Sequence, residues 1–160
     1  MLRVLALHEL HKLEQALEQM PHIFDEEIER GAIEASIVVS RKVKDFTPVG
    51  VSRGGGEGLQ ASIRYQIYPS AGEVTGVISS PLNYVEPVEI GSRPHMPPVE
   101  SLREWAESKG LSAWAVAKSI AKHGTKGQWM FKKGFEASEP MLERIGDATV
   151  SRILQRVDAL

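Results

Sequence analysis

The stretch FDEEIERGAIEASIVVSRKVKDFTP, residues 24–48, decides the fold. Phe24, Ile28, Ala35, Val38, Lys42 and Phe46 fall at steps of three, four and seven, and Ile33 and Ile37 widen the stripe. All but Lys42 are apolar, which is the periodicity of an amphipathic helix sustained over about seven turns. The helix is expected to stop at Thr47-Pro48, because proline pushes the residue before it out of helical geometry. Upstream, residues 8–19 read as a shorter helix ending before Met20-Pro21, with Pro21 at the first position of the long one.

Beyond the helix, GVSRGGGEG at 50–58 is mostly glycine and reads as a flexible surface loop. It lacks the Gly-Lys-Ser/Thr ending and the preceding strand of a phosphate cradle. LQASIRYQIYP (59–69) and GEVTGVISS (72–80) alternate apolar and polar residues, and PSAG joins them, as in a β-hairpin. Residues 82–90 read either as a strand or as a short helix interrupted by Pro87. RPHMPP (93–98) imposes an extended connection. VESLREWAESKG (99–110) and SAWAVAKSIAKHG (112–124) each read as a helix closed by glycine, with Ser112 a cap for the second. A last helix is expected from about Gly134 to Leu160, on the spacing of Phe135, Met141, Leu142, Ile145, Ala148, Ile153, Leu154 and Val157.

The expected fold class is therefore α+β. A single domain over residues 1–160 would have a small antiparallel sheet packed by the long N-terminal helix and a C-terminal helix, with a helical-hairpin insert at 97–126. At 160 residues, 42% apolar and 25% charged, the chain can bury a real core.

Net charge is -2, so no global basic field draws the chain to nucleic acid, but the charge is segregated. Residues 1–30 carry three basic against seven acidic groups, and residues 101–133 seven against two. Such a molecule can stack head to tail on its own copies or face a charged partner. The absence of cysteine excludes disulfides, thiolate metal sites and thiol nucleophiles, and fits a reducing cytoplasm. The opening MLRVLALHEL is too short for a signal-peptide core, and no apolar run is long enough to span a bilayer.

Three chemical readings compete. Glu86 and Glu89 with His95, in YVEPVEIGSRPH (84–95), could form a metal or acid–base cluster, but Pro87 lies inside the spacing that a helical ligand pair requires. His8 and His11 could share a helix face, and His22 and His123 stand apart; solvated histidines explain all four. No Gly-x-Ser-x-Gly nucleophile elbow occurs, so the chain reads as a non-enzyme. Residues 101–123 outline a helix-turn-helix, which makes a small DNA-binding protein the alternative. Its second helix offers only Lys118 and Lys122, without the Arg, Asn or Gln that read base edges. Trp105, Trp114 and Trp129 are candidate apolar anchors for a core or an interface.

Three separated stretches resemble one family. DFTPVG (45–50) ends the long helix, LQASI (59–63) leads into the strands, and YVEPVEIGSRPH is followed by a Pro-Pro helical insert and GTKGQWMFKKGFEAS (124–138). Together they resemble the tailed-bacteriophage tail-component family of neck and tail-completion proteins at the head–tail junction. Its Thr-Pro-Val is matched by Thr47, Pro48 and Val49. Its aromatic-Val-Glu-aromatic-Gly-Thr motif is matched by Val88, Glu89, Gly91 and Ser92, with Pro87 and Ile90 at the aromatic positions. Its late aromatic segment is matched by Trp129, Met130 and Phe131, then Phe135 and Glu136. The family's compact Asp-Thr-Gly turn after the helix is replaced here by the longer glycine loop.

The resemblance implies a non-enzymatic structural subunit without cofactor or metal, located in the virion. Its partners would be copies of itself in a hexameric ring and other neck or tail proteins such as head-closure and tail-terminator proteins. No membrane is implied, and DNA enters only as cargo in the channel. Thr47, Pro48, Val88, Glu89, Gly91, Arg93 and His95 would form a structural corner, with Glu89 accepting hydrogen bonds from turn amides and Arg93 pairing with it or with a neighbouring subunit. Trp105, Trp114, Lys118, Lys122, Trp129 and Phe131 would face a subunit or partner.

Overall fold

The computed structural model describes residues 2–49, 58–70 and 72–160, with side chains described from residue 14 onward. The glycine loop at 50–57 and the side chains of His8 and His11 lie outside the described residues. The fold is α+β. In order come α1 (Leu2–Phe46), α2 (Leu59–Ser62), β1 (Arg64–Ser70), β2 (Glu73–Ser79), α3 (Val85–Ile90), β3 (Gly91–Ser92), a 3-10 turn (Val99–Leu102), α4 (Arg103–Ser108), α5 (Ala113–His123), β4 (Thr125–Lys126), α6 (Met130–Glu136) and α7 (Glu139–Asp158). β1 pairs with β2, and β3 with β4. The described residues form no helix long and apolar enough to cross a membrane.

Three boundaries differ from the sequence reading, and a fourth, at residues 82–90, settles on one of the two readings left open there. α1 runs unbroken through Pro21, although proline removes one ladder amide and crowds the carbonyl four residues back, a cost of about 3 kcal/mol in a helix interior. Burial of Ile23 and Glu27 just beyond it holds the helical path. LQAS folds into the helical turn α2 ahead of the strand, closed by the Ser62 hydroxyl donating to the Leu59 carbonyl at 2.7 Å. Residues 85–90 are helical, because Pro87 falls in the first turn, where an amide has no intrahelical partner to lose. The last helix is split into α6 and α7 at Ala137–Ser138, since Pro140 has no amide to donate to the Glu136 carbonyl and its ring crowds that carbonyl.

The chain divides into two compact units. The first comprises residues 1–38, 65–77 and 139–160. In it the predicted stripe is displaced. Phe24 is 43% exposed, and the buried positions among the described residues of α1 in this unit are Ile23, Glu27, Gly31 and Ser36. Small residues line this face because neighbours come close. A Cβ on Gly31 would lie 2.6 Å from the Thr149 hydroxyl of α7, and one on Gly76 of β2 would collide with the Ser36 hydroxyl. Apolar counting misses small residues as burial sites, and it misses Glu27, which is 5% exposed. Arg152 Nε donates to Glu27 at 2.7 Å and Arg156 Nη1 at 3.0 Å. Arg156 also reaches Glu26 at 2.7 Å, and Arg152 donates to Thr149 at 3.0 Å. Two arginines, one hydrogen-bonded to each carboxylate oxygen, are what make the charge tolerable in such a place.

The second unit comprises residues 39–64 and 78–138. Its buried apolar residues are Val39, Val43, Leu59, Ile63, Ala106, Ala117 and Met130. α1 ends as its sequence dictates, with the Thr47 hydroxyl donating back to the Val43 carbonyl at 2.6 Å and Gln60 capping the Lys44 carbonyl at 2.9 Å. α6 crosses those last turns at Gly134, where a Cβ would sit 2.6 Å from the Val43 backbone nitrogen.

Three substitutions test this packing. Glycine-to-alanine exchange inside a helix ordinarily stabilises by about 0.5–1 kcal/mol. Gly146 of α7 has nothing within 4 Å of a new Cβ, so Gly146→Ala should raise stability by that amount in denaturant unfolding. Gly134→Ala should lower it by about 1–3 kcal/mol, because overpacking against backbone outweighs propensity. Hydrogen bonds from Arg152 and then Arg156 hold the Glu27 carboxyl below its ordinary value. A depressed folded value means that this stabilisation is complete above the unfolded glutamate range, about 4.3, and is lost as pH falls through the folded value. Thermal midpoints measured against pH should therefore fall less steeply in acid for Glu27→Gln than for the wild type, from a lower midpoint at neutral pH.

Candidate functional site

The corner predicted from YVEPVEIGSRPH is built jointly by α3 and the segment leading into α6. α3 begins after a turn in which the Val85 amide donates to the Leu82 carbonyl at 3.1 Å. It ends at Gly91, whose φ of 85° belongs to glycine. A side chain there would also strike the Thr125 carbonyl. β3 then pairs antiparallel with β4, Gly91 opposite Lys126 and Ser92 opposite Thr125, and the two hydroxyls meet at 2.9 Å. Gly124, with φ 69°, passes so close to the Ser92 carbonyl that no Cβ would fit.

The junction continues past the strands. A Cβ on Gly127 would lie 2.5 Å from the Glu89 carbonyl oxygen and 2.6 Å from the Ile90 carbonyl carbon. This approach lets the Gln128 amide donate to the Val88 carbonyl at 2.8 Å and the Trp129 amide to the Glu89 carbonyl at 3.0 Å. Those carbonyls belong to the end of α3, where no intrahelical donor remains.

Glu89 returns the contact through its side chain. α6 starts at Met130 behind Trp129, an indole that offers no oxygen to cap the helix. The Glu89 carboxylate does so from 42 residues away, accepting from the Phe131 amide at 3.0 Å and from the Lys132 amide at 3.3 Å. Its negative charge also suits the positive end of the helix dipole. Trp129 itself has φ 56°, in the left-handed region, the one described non-glycine residue there. For an L-residue with a bulky side chain this costs about 1–2 kcal/mol, and the surrounding hydrogen bonds hold it in place.

The other candidate residues divide into three groups. Thr47 is buried at the end of α1, and Pro48 follows exposed. Arg93 and His95 are exposed on the extended connection, and His95 Nδ1 lies 2.9 Å from the Arg93 carbonyl. Glu89 is committed to the α6 amides, so the expected Glu89–Arg93 pair does not form. Among the described residues no three His, Asp or Glu side chains are grouped to hold a metal ion.

Trp105 on α4 and Trp114 on α5 are 41% and 53% exposed, so neither is core. α5 is capped by the Ser112 hydroxyl toward the Ala115 amide at 3.5 Å, and Gly110, φ 68°, closes α4. Lys118 Nζ stands 5.5 Å from the Trp114 ring centroid, a cation–π contact, and Lys122 is one turn further along. Phe131 is half-buried in the first turn of α6.

The structure thus unites Glu89, Gly91, Trp129 and Phe131. Sequence reading found Gly124 as the glycine that closes α5 but missed its approach to Ser92, and it missed Gly127, although paired glycines ahead of an uncapped helix are a signal of close backbone approach. Set against known proteins, the chain matches no family model, no curated sequence and no solved structure.

Removing the cap tests the joint. Glu89→Ala should cost about 1–2 kcal/mol, the usual worth of a helix cap, and Glu89→Gln about half of that, since an amide oxygen accepts without charge. Urea unfolding with far-ultraviolet circular dichroism measures both.

Proposed function

We propose that the chain is a non-enzymatic structural subunit of a long-tailed phage neck or tail, completing or joining the tail where it meets the head. The observation that carries this reading is the joint itself. Two of the stretches on which the family resemblance rests, Val88–Ser92 and 124–138, meet in one backbone-bonded corner. That corner leaves large apolar side chains in solvent: Ile90 is 53% exposed, Trp129 45% and Phe135 53%. A cap that holds a strained tryptophan outward suits a surface that another protein covers, because aromatic anchors dominate the energetics of such interfaces. The partners in this reading are copies of the chain in a ring, a hexamer by the resemblance, and adjoining neck or tail proteins. The chain resides in the virion, and DNA passes through the channel as cargo.

Deleting the gene from its phage should leave filled heads and finished tails unjoined in the lysate, visible by negative-stain electron microscopy. Normal joined particles from the deletion would overturn the reading. Trp129→Gly removes the anchor and relaxes the φ of 56°. The purified variant should unfold at or above the wild-type midpoint, yet complement the deletion at least tenfold less well, on the scale of a hot-spot residue.

A further inference from the structure

We propose that the solvent face of α1 between Leu17 and Glu29 docks the solvent face of α5 of a second copy of this chain. The inference deepens the self-assembly part of the reading above and rests on it. It starts from where charges remain unspent. The residues of the first unit carry six Lys or Arg against thirteen Asp or Glu, a formal charge of -7, and those of the second thirteen against eight, or +5.

On α1, Glu26, Glu27 and Glu34 are consumed by Arg30, Arg152 and Arg156. Glu18, Asp25 and Glu29 are exposed and form no ion pair among the described residues, although Glu18 lines an open groove with Arg156. Each follows an apolar residue: Leu17-Glu18, Phe24-Asp25 and Ile28-Glu29. Steps of seven and four put these couples on one face, an apolar stripe beside an acidic one. Leu17 is 57% exposed and Phe24 43%, while Ile28 is half-buried, so the stripe is uncovered over its first two turns. Asp25 and Glu29 also line an open groove of about 320 Å³ whose other wall is Pro69, Ser70 and Val74 of the hairpin. Two carboxylates one turn apart over apolar side chains fit an ammonium on an aliphatic stem, which is a lysine.

α5 presents the complement. Trp114, Lys118 and Lys122 succeed one another at one-turn steps, all exposed, and the helix contains no acidic residue. Trp114 supplies the apolar anchor and the lysines the charge. Nucleic acid is the weaker occupant, because two lysines release few counterions and the whole chain carries a net charge of -2. The contact is heterologous, so copies add head to tail and either close into a ring or extend.

Charge exchange tests it on the full chain. All the substituted side chains are exposed, and circular dichroism verifies each fold. By sedimentation velocity the wild type should associate at about 0.01 M salt and dissociate at about 1 M, as the screening length falls from about 30 Å to about 3 Å. Lys118→Glu with Lys122→Glu, and separately Glu18→Lys with Asp25→Lys, should each weaken association by about tenfold or more. An equimolar mixture of the two variants should associate again, because each altered face then meets its opposite. A wild type that stays monomeric at low salt, either variant associating like the wild type, or a mixture that stays dissociated overturns the contact. So does mixed-sequence duplex DNA bound by the wild type and lost in the lysine variant when no self-association is seen. Failure of the contact leaves the neck or tail reading to the gene deletion, which scores joined particles whatever face joins them.

Discussion

A helix whose first residue follows a tryptophan has backbone amides and nothing local to give them. In this protein the need is met by one carboxylate, Glu89, which lies 42 residues upstream and accepts from the Phe131 and Lys132 amides. The corner is organised around that demand. For the carboxylate to reach α6, the end of α3 must touch the chain leading into it, and contact of backbone on backbone excludes side chains. Hence Gly91, Gly124 and Gly127 occur together at the crossing. The same approach supplies donors to the carbonyls of Val88 and Glu89, so both helix ends are satisfied by one set of contacts.

The first unit solves a related problem with charge. α1 meets its neighbours through Gly31 and Ser36, residues too small to contribute much apolar area. Part of the cohesion therefore falls to Glu27 and the two arginines of α7, one turn apart at 152 and 156. Such a network is directional, so it specifies which face of α7 meets α1 as well as holding it there.

Both arrangements leave much of the apolar and charged surface uncovered. Trp105, Trp114 and Trp129 are exposed, and so are Leu17 and Phe24 on α1. Apolar residues of this size in solvent are common singly, but their pairing with unspent charge of opposite sign on different helices gives them a direction. A proposed assembly role gives these residues a use that folding of the chain alone does not.

The α+β class, the long helix to Phe46, its stop at Thr47-Pro48 and the Ser112 cap were all determined by the sequence alone, because each depends on residues within a few positions of one another. The segregation of charge was equally plain. Other features were decided only in three dimensions. Pro21 is carried inside α1 because burial on its far side outweighs a local penalty. The buried face of α1 runs through Ile23, Glu27, Gly31 and Ser36, since small and paired residues can be buried where neighbours demand it, and hydropathy does not register that demand. Glu89 was legible as part of a motif, but its role as a cap was not: the amides it serves are 42 positions away, and helix capping is recognised in sequence only when cap and helix are adjacent.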